Sequence, residues 1–458
     1  MSNPTAVILV VGLNESLIGD WSPNLKRFCA EGQTRRLEPV LPAVTCSVQS
    51  SMLTGASVSE HGIVGNGWFD RESNEIRFWK QSNRLVGGEK VWETARKKEP
   101  DFTCLNMFWW YNMYSSADYS VTPRPIYKAD GRKIPDCYSH PADLREQLQS
   151  ELGRFPLFRF WGPASSIESS RWIADATMIA HKKLDPTLTL VYLPHLDYAL
   201  QKLGPDHQDI KKHVAQVDEV VGDLLSYFDS RAVEPIIVSE YGIEPVSKPI
   251  AINRILRREN CIAIREEMGL ELLDAGTSEA FAVADHQIAH VYVRNPQNIA
   301  RILDICKDIS GVEKILDKNA QSELHIDHER SGDIVLVAAE GCWFSYHYWL
   351  DDSKAPDFAR MVEIHRKPGY DPCELFLDPG IWSPKLKIAM KLLKKKLGFR
   401  TLMDVIPLDS GLVKGSHGRV KTREDIQPVM ITRRDLKGLS GQVSCQKVRD
   451  VILEHLFA

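Results

Sequence analysis

The sequence predicts an α/β protein with a mainly parallel central sheet flanked by helices and a smaller α+β subdomain attached. Three observations predict it. Short, continuous apolar runs rich in β-branched residues recur through the first half, as strands buried on both faces of a parallel sheet require. Longer stretches with helical periodicity separate them. From about residue 250 the alternation gives way to shorter mixed elements.

Taken in order, Ala6–Val11 is the first buried run, and Gly12 ends it. Ser22 and Pro23 open a helix as cap and first residue, with Gly32 past its end. Phe102–Phe108, Leu188–Leu193 and Pro235–Ser239 are further buried strands. Helices are expected near 141–152, 169–183 and 208–228, the first carrying Leu144, Leu148 and Leu152 at four-residue spacing. This is the pattern of a doubly wound sheet. His290–Val293, a helix near 296–309, Val312–Leu316 and Asp333–Ala338 then suggest the subdomain, assigned to 285–400 with an aromatic, loop-rich stretch from Trp343 to Pro384. Pro428–Thr432 and Val448–Leu456 form a closing strand and helix within 426–458. One elaborated domain over 1–458 is expected to hold all of these.

Lys plus Arg is 57 and Asp plus Glu is 61, a net charge of −4. That balance argues against a nucleic-acid polymer as partner. Nine cysteines, an odd number with no C-x-x-C pair, read as reduced thiols rather than a disulfide framework. The first residues lack a basic n-region, and no run reaches the ~18 apolar residues of a membrane span. A cytoplasmic protein is the expectation.

In open α/β sheets, ligands bind beyond the carboxyl ends of the strands. The residues there are Asn14 and Glu15, Asp197, and Glu240 with Tyr241. The most informative segment is Leu41-Pro-Ala-Val-Thr-Cys-Ser-Val-Gln-Ser-Ser-Met-Leu-Thr-Gly55. Thr45 opens a helix that ends at Gly55. A hydroxyl at a helix N-terminus sits among unpaired N–H groups and the positive end of the dipole, a good place for a phosphoryl group and for a nucleophile. A simple N-cap is the competing reading.

The wider pattern resembles the nucleotide pyrophosphatase/phosphodiesterase family of the alkaline phosphatase superfamily. Pro42-x-x-Thr45, Leu53-Thr-Gly55 and Glu60-His-Gly-Ile-Val-Gly-Asn-Gly-Trp68 carry the resemblance first. Tyr192-Leu-Pro-His-Leu-Asp197 with Gly204-Pro205, Val238-Ser-Glu-Tyr-Gly242 and Gly415-Ser-His-Gly418 continue it, collinear over most of 5–425. The resemblance implies an alkaline-phosphatase-like sandwich. It also implies hydrolysis of a phosphodiester or pyrophosphate with two metals, usually zinc, through a phospho-enzyme formed on Thr or Ser. Thr45 would be the nucleophile and Asn66 the donor to the phosphate, with Asp197 and His417 as metal ligands.

The departures matter equally. Val11 stands where the family has an aspartate. Gln201 stands four residues after Asp197 in place of a histidine. Glu240-Tyr241 replaces Asp-His. The surviving set, Asp197, His417, Glu240, Gln201 and Tyr241 with the Thr45 hydroxyl, is rich in oxygen and poor in nitrogen. It suits one divalent ion rather than two, with Mg²⁺ or Mn²⁺ as harder alternatives to Zn²⁺, held around Asp197, His417 and Glu240. His195, His207, Asn14 and Glu15 are candidate replacement ligands, though ordinary loop roles are preferred for them. Asp285, His286 and His290 form another cluster. A strand here would place the two histidines on one face, and a polar interface is the preferred reading.

Trp109, Trp110 and Tyr111 follow a strand and are candidates to stack on a flat substrate group, with Trp343–Trp349 extending the same wall. Arg124, Arg132 and Lys133 are candidate anion contacts, surface ion pairs being their commoner fate. The loop His365–Asp371 receives no role. Pro384–Leu397 is a basic amphipathic helix. Packing on the domain with a solvated lysine face is preferred to weak contact with an acidic membrane surface. The expected activity is metal-dependent hydrolysis of a small phosphodiester or pyrophosphate by Thr45. A phosphomonoesterase or phosphotransferase of the same superfamily, and a catalytically degenerate member that binds a phosphorylated ligand or a partner, are the alternatives.

Overall fold

Thr5–Val10 is apolar from Ala6 onward and buried over its whole length, so it takes the middle of a sheet covered on both faces. The computed structural model describes residues 2–435 and 441–458. Met1 and 436–440, the latter inside the expected closing segment 426–458, lie outside the described residues. The order across the nine-stranded sheet is Val443–Ser444, Gln33–Glu38, Val429–Thr432, Glu234–Val238, Thr5–Val10, Leu188–Leu193, Cys104–Met107, Tyr119–Pro123 and Cys137–His140. The five strands from Glu234–Val238 to Tyr119–Pro123 run parallel. Antiparallel pairings flank them on both sides. The fold is the α/β sandwich that the sequence predicts.

Helices Ala142–Leu152, Ile167–Leu184 and Ile210–Asp229 stand close to their expected places. Of the strands in the antiparallel flanks, the sequence marks only Pro428–Thr432, found as Val429–Thr432. Gln33–Glu38 is polar and half-exposed, so it lacks the apolar run that marks a buried strand. Phe108 leaves its strand at a positive φ of 72°, which shortens the expected Phe102–Phe108 to Cys104–Met107.

A second, antiparallel sheet has the order Ala280–Asp285, Ile288–Val293, Ile334–Ala338 and Val312–Leu316. It begins five residues before the expected boundary of 285. It has its own apolar core, which includes Tyr346, Tyr348 and Trp349. Trp343 packs in another cluster with Cys373 and Ile406. The stretch Trp343–Trp349 therefore fills cores and does not extend a substrate wall.

The residues beyond the carboxyl ends of the parallel strands gather at one edge of the sheet. Gly242, just after Tyr241, permits this. A Cβ there would stand 1.6 Å from the Ile426 carbonyl oxygen. Gly242→Ala is expected to cost on the order of 2 kcal/mol or more, read as a lower denaturation midpoint. An unchanged midpoint would contradict the close approach.

Candidate active site

Helix Thr45–Thr54 is buried over its whole length and closes at Gly55 in the left-handed region. Several of its polar side chains find partners: Ser50 and Thr54 donate to carbonyls one turn back, and Ser51 meets His61. Val44, not Thr45, occupies the cap position and makes no side-chain cap bond. Thr45 is the first helical residue, and the capping reading fails. Its Oγ1 lies 3.0 Å from the Tyr241 hydroxyl.

Tyr241 in turn donates to Asp197 Oδ1 at 3.3 Å. Thr45, Tyr241 and Asp197 thus form a hydrogen-bonded line. The Tyr241 ring stacks on His417, with centroids 3.6 Å apart and planes 7° apart. His417 Nδ1 lies 2.8 Å from the Ala43 carbonyl oxygen. A carbonyl only accepts, so Nδ1 carries the proton and Nε2 presents a bare lone pair. That Nε2 lies 3.8 Å from Asp197 Oδ1 and has no hydrogen-bond partner among the described residues. Burial pushes His417 down to about 3, which keeps it neutral.

Asp197 Oδ2 accepts from Gln201 Nε2 at 2.7 Å. Gln201 Oε1 accepts from Tyr370 at 2.9 Å. Gln201 therefore braces the carboxylate and keeps its oxygen for Tyr370 instead of a metal. Glu240 accepts from Gln49 at 2.6 Å, and its Oε2 is without a partner among the described residues. Gln49 stands one helical turn after Thr45, a spacing that could have exposed it in the sequence. Among the described residues no group of three or more His, Cys, Asp or Glu side chains is gathered to hold a metal. Asp197 and His417 come together, but Glu240 does not complete a cluster with them.

Asn66 accepts from the Cys46 N–H at 3.0 Å and donates from Nδ2 to Asp285 Oδ1 at 3.1 Å. Its backbone N–H also donates to Asp285. It is fixed beside the helix N-terminus with its side-chain amide bonded to Cys46 and Asp285, so it braces the first turn, and its expected bond to a phosphate is not formed by this pairing. The two histidines do not share one strand face: Asp285 ends the strand on the face of Val283 and its partner His290, but His286 lies outside both strands. His286 sits in the turn of a hairpin at a positive φ of 59°. Its ring lies 3.7 Å from those of both His417 and Tyr370. His290 instead meets the Val64 carbonyl and the Gly332 N–H.

Of the three candidate aromatics, only Trp110 lines the site, resting on Trp79 at 4.7 Å. Trp109 is fully buried and donates to the Val191 carbonyl. Tyr111 packs with Cys46 and Ile63. Both were expected in the pocket, but the chain turns sharply at Phe108 and Tyr111, each at positive φ, and sends them inward. Trp79 and Trp161, which flank Tyr370 at 6.2 and 5.7 Å, were missed. Each follows other aromatics, Trp79 after Phe78 and Trp161 after Phe158 and Phe160, with no motif to tell a site residue from a core one.

The replacement ligands lie elsewhere. His195 meets Gln216 and His213, and His207 is exposed near Asp209. Asn14 caps a short turn, and Glu15 pairs with Arg36. Arg132 pairs with Asp130, and Lys133 lies over Tyr127.

Burial raises Asp197 and Asp285 each to about 7 and raises Glu240 as well. The partners that bond these carboxylates are Gln201, Tyr241, Asn66 and Gln49, none of them a cation. In ion-free protein, folded Asp197 therefore keeps a proton that the unfolded chain releases near 3.8. Its stabilising effect is full below that value and is lost as pH rises through about 7. The buried histidines act in the opposite sense, favouring the fold as pH rises toward 6.5. The carboxylate part is isolated by difference. The stability of Asp197→Asn relative to the natural chain is expected to climb between about pH 4 and 7, by on the order of 4 kcal/mol at most. Denaturant titrations measure it, and a pH-independent difference would contradict an uncompensated buried carboxylate.

Comparison with known proteins agrees with this architecture. A family model described as type I phosphodiesterase / nucleotide pyrophosphatase matches residues 5–371. An uncharacterized pyrophosphatase/phosphodiesterase of Schizosaccharomyces pombe is 23% identical over 270 residues, covering 56% of this chain and 47% of that protein. Ectonucleotide pyrophosphatase/phosphodiesterase family member 1 of Rattus norvegicus is 22% identical over 277 residues, 57% of this chain and 27% of that one. The chain thus matches less than half the length of these curated relatives. Among solved structures, phosphonoacetate hydrolase from Sinorhizobium meliloti in complex with phosphonoformate superposes with a TM-score of 0.62 at 13% identity, covering 99% of this chain and 95% of that one. An inactive variant of murine ectonucleotide pyrophosphatase/phosphodiesterase 5 in complex with AMP gives 0.59 at 13% identity, covering 99% and 94%. At these identities the likeness is one of fold.

Proposed function

The chain belongs to the type I phosphodiesterase / nucleotide pyrophosphatase family, and from that premise we propose that it hydrolyses a phosphoester or pyrophosphate bond in a small substrate, with Thr45 as nucleophile. The observation that carries this reading is the line from Thr45 Oγ1 through Tyr241 to Asp197, facing the bare His417 Nε2. With Asp197 ionised, as it is above about pH 7, Thr45 attacks phosphorus as its proton passes to the Tyr241 oxygen and the Tyr241 proton passes to Asp197 Oδ1. The substrate's ester oxygen leaves on the side opposite Thr45 and takes its proton from solvent water. A second water then attacks phosphorus and gives its proton to solvent, while the proton held on Asp197 returns through Tyr241 to Thr45 Oγ1 as the phosphothreonine bond breaks. Asn66 holds the first turn of the helix in place, and the helix N-terminus favours the anionic group.

A two-zinc centre does not fit these residues. Val11 is fully buried in the core and offers no ligand, Gln201 turns its N–H to Asp197, and Tyr241 supplies a phenol. One cation does fit between Asp197 and His417. Two acceptor lone pairs 3.8 Å apart repel unless a proton or a positive charge stands between them. Thr45 and Tyr241 add neutral oxygens, which suits a hard ion. Such an ion, when bound, supplies Lewis-acid polarisation of a phosphoryl oxygen.

A panel of p-nitrophenyl mono- and diesters with Mg²⁺, Mn²⁺ or Zn²⁺ tests the reading and separates diesterase from monoesterase or transferase. Thr45→Ala is expected to abolish turnover. Tyr241→Phe is expected to lower it by about a hundredfold through loss of the relay. Activity that survives Thr45→Ala would overturn the threonine mechanism. Elemental analysis is expected to find no more than one tightly held ion per chain, and two zinc ions would refute the single site. The loss of the carboxylate at Val11 favours a second reading, a binder of phosphorylated ligands. Absence of turnover with every metal, together with saturable binding of AMP, would establish it.

A further inference from the structure

The lysine-rich helix Pro384–Lys396 does not pack as a surface helix ordinarily does. None of its residues is buried. Trp382, just before it, is 95% exposed, and Leu386, Met390, Leu393 and Leu397 are each more than half exposed. At about 3.6 residues per turn these side chains recur on one face and form an outward apolar stripe. Phe399 and Leu402, past the end of the helix, are exposed as well. The expected solvated lysines are there at Lys385, Lys394, Lys395 and Lys396, but the expectation that the leucines turn to the domain fails, because two other lysines take the inward face. Lys387 and Lys391 pair with Asp404 and donate to the Asp404 and Leu402 carbonyls. Ile388 rests on the small cluster around Trp343 and Ile406.

The helix carries six lysines and no acidic residue, in a chain of net charge −4. Lys385 and Lys396 border the stripe on one side and Lys394 borders it on the other. With Lys395 and Arg400, they make no ion pair among the described residues. A soluble surface rarely exposes such a contiguous apolar face without a use for it. Water disfavours the leucines, and a neutral apolar protein groove would leave the bordering lysines desolvated. A surface with an apolar interior beneath a layer of negative charge accepts both.

We propose that this helix docks the protein in the plane of an anionic phospholipid bilayer, with Trp382, Leu386, Met390, Leu393 and Leu397 inserted among the acyl chains and the bordering lysines on the headgroups. No helix among the described residues is long and apolar enough to cross a membrane, so the contact is interfacial. It is independent of the catalytic reading, since none of these residues touches Thr45, Asp197 or His417.

Vesicle flotation of the full chain tests it. Vesicles of phosphatidylcholine with about one-third phosphatidylserine are expected to carry the protein at low salt, and pure phosphatidylcholine is not. Leu386→Glu with Leu393→Glu, and separately Lys394→Glu with Lys396→Glu, are each expected to lower the bound fraction by about tenfold or more. Both pairs are exposed, and circular dichroism melts are expected to match the natural chain. Quenching by brominated lipid, compared between the natural chain and Trp382→Phe, reports insertion without a disruptive variant. Failure to float on anionic vesicles, or equal flotation of the leucine variant, would overturn the proposal. So would a concentration-dependent dimer, seen by light scattering and lost in that variant, because the stripe would then be covered by a second copy.

Discussion

A carboxylate removed from water must be protonated, hydrogen-bonded or matched by positive charge, and Asp197 has hydrogen bonds and a proton held up to about pH 7 but no cationic side chain bonded to it. Gln201 and Tyr241 bond it, and neither carries charge. This constraint organises the site. Gln201 can turn its N–H to Asp197 because Tyr370, from a loop far along the chain, takes its oxygen. Tyr241 can donate to Asp197 because Thr45 meets its oxygen and His417 supports its ring. His417 stays neutral because burial excludes its charge and the Ala43 carbonyl takes its only proton. Each residue is oriented by the next, and the chain of bonds ends at the Thr45 hydroxyl, at a helix N-terminus.

The departures from the family pattern are consistent with one another. Removing the acid at Val11 takes a negative charge from the end of the central strand, and the valine joins the core there. Replacing an imidazole by the Tyr241 phenol removes a nitrogen ligand and adds a donor that reaches both Thr45 and Asp197. Replacing another by Gln201 supplies a second donor to the same carboxylate. A site with fewer charges and fewer nitrogens needs less compensating metal charge. It also holds a soft divalent ion less well than a cluster of histidines and carboxylates.

The two sheets divide the work. The parallel sheet delivers Asp197 and Tyr241 to one edge through neighbouring strands paired in register with Thr5–Val10. The antiparallel sheet contributes from outside. Its first hairpin brings Asp285 to Asn66 and His286 to His417 and Tyr370. Asn66 then fixes the Cys46 N–H, so the second core helps to position the helix that carries Thr45. Trp79, Trp110, Trp161 and Tyr370 form an aromatic rim over these groups, and Thr45 is only 4% exposed.

By itself the sequence determined the parallel core, the helices beside it, and the candidacy of Thr45, Asn66, Asp197, Tyr241 and His417. Those signals are local: a β-branched apolar run buries itself on both faces, and a collinear set of short motifs survives without knowledge of contacts. Only the tertiary structure decided how the polar groups pair. It turned Gln201 and Asn66 into braces and joined His286 and Tyr370 to the site. It also sent Trp109 and Tyr111 into the core, and set the leucines of Pro384–Lys396 facing outward. The reason is physical. Hydrogen bonds and buried charge depend on side chains brought together from distant segments, and on backbone turns such as those at Phe108 and His286. Linear spacing does not encode the direction in which such residues point.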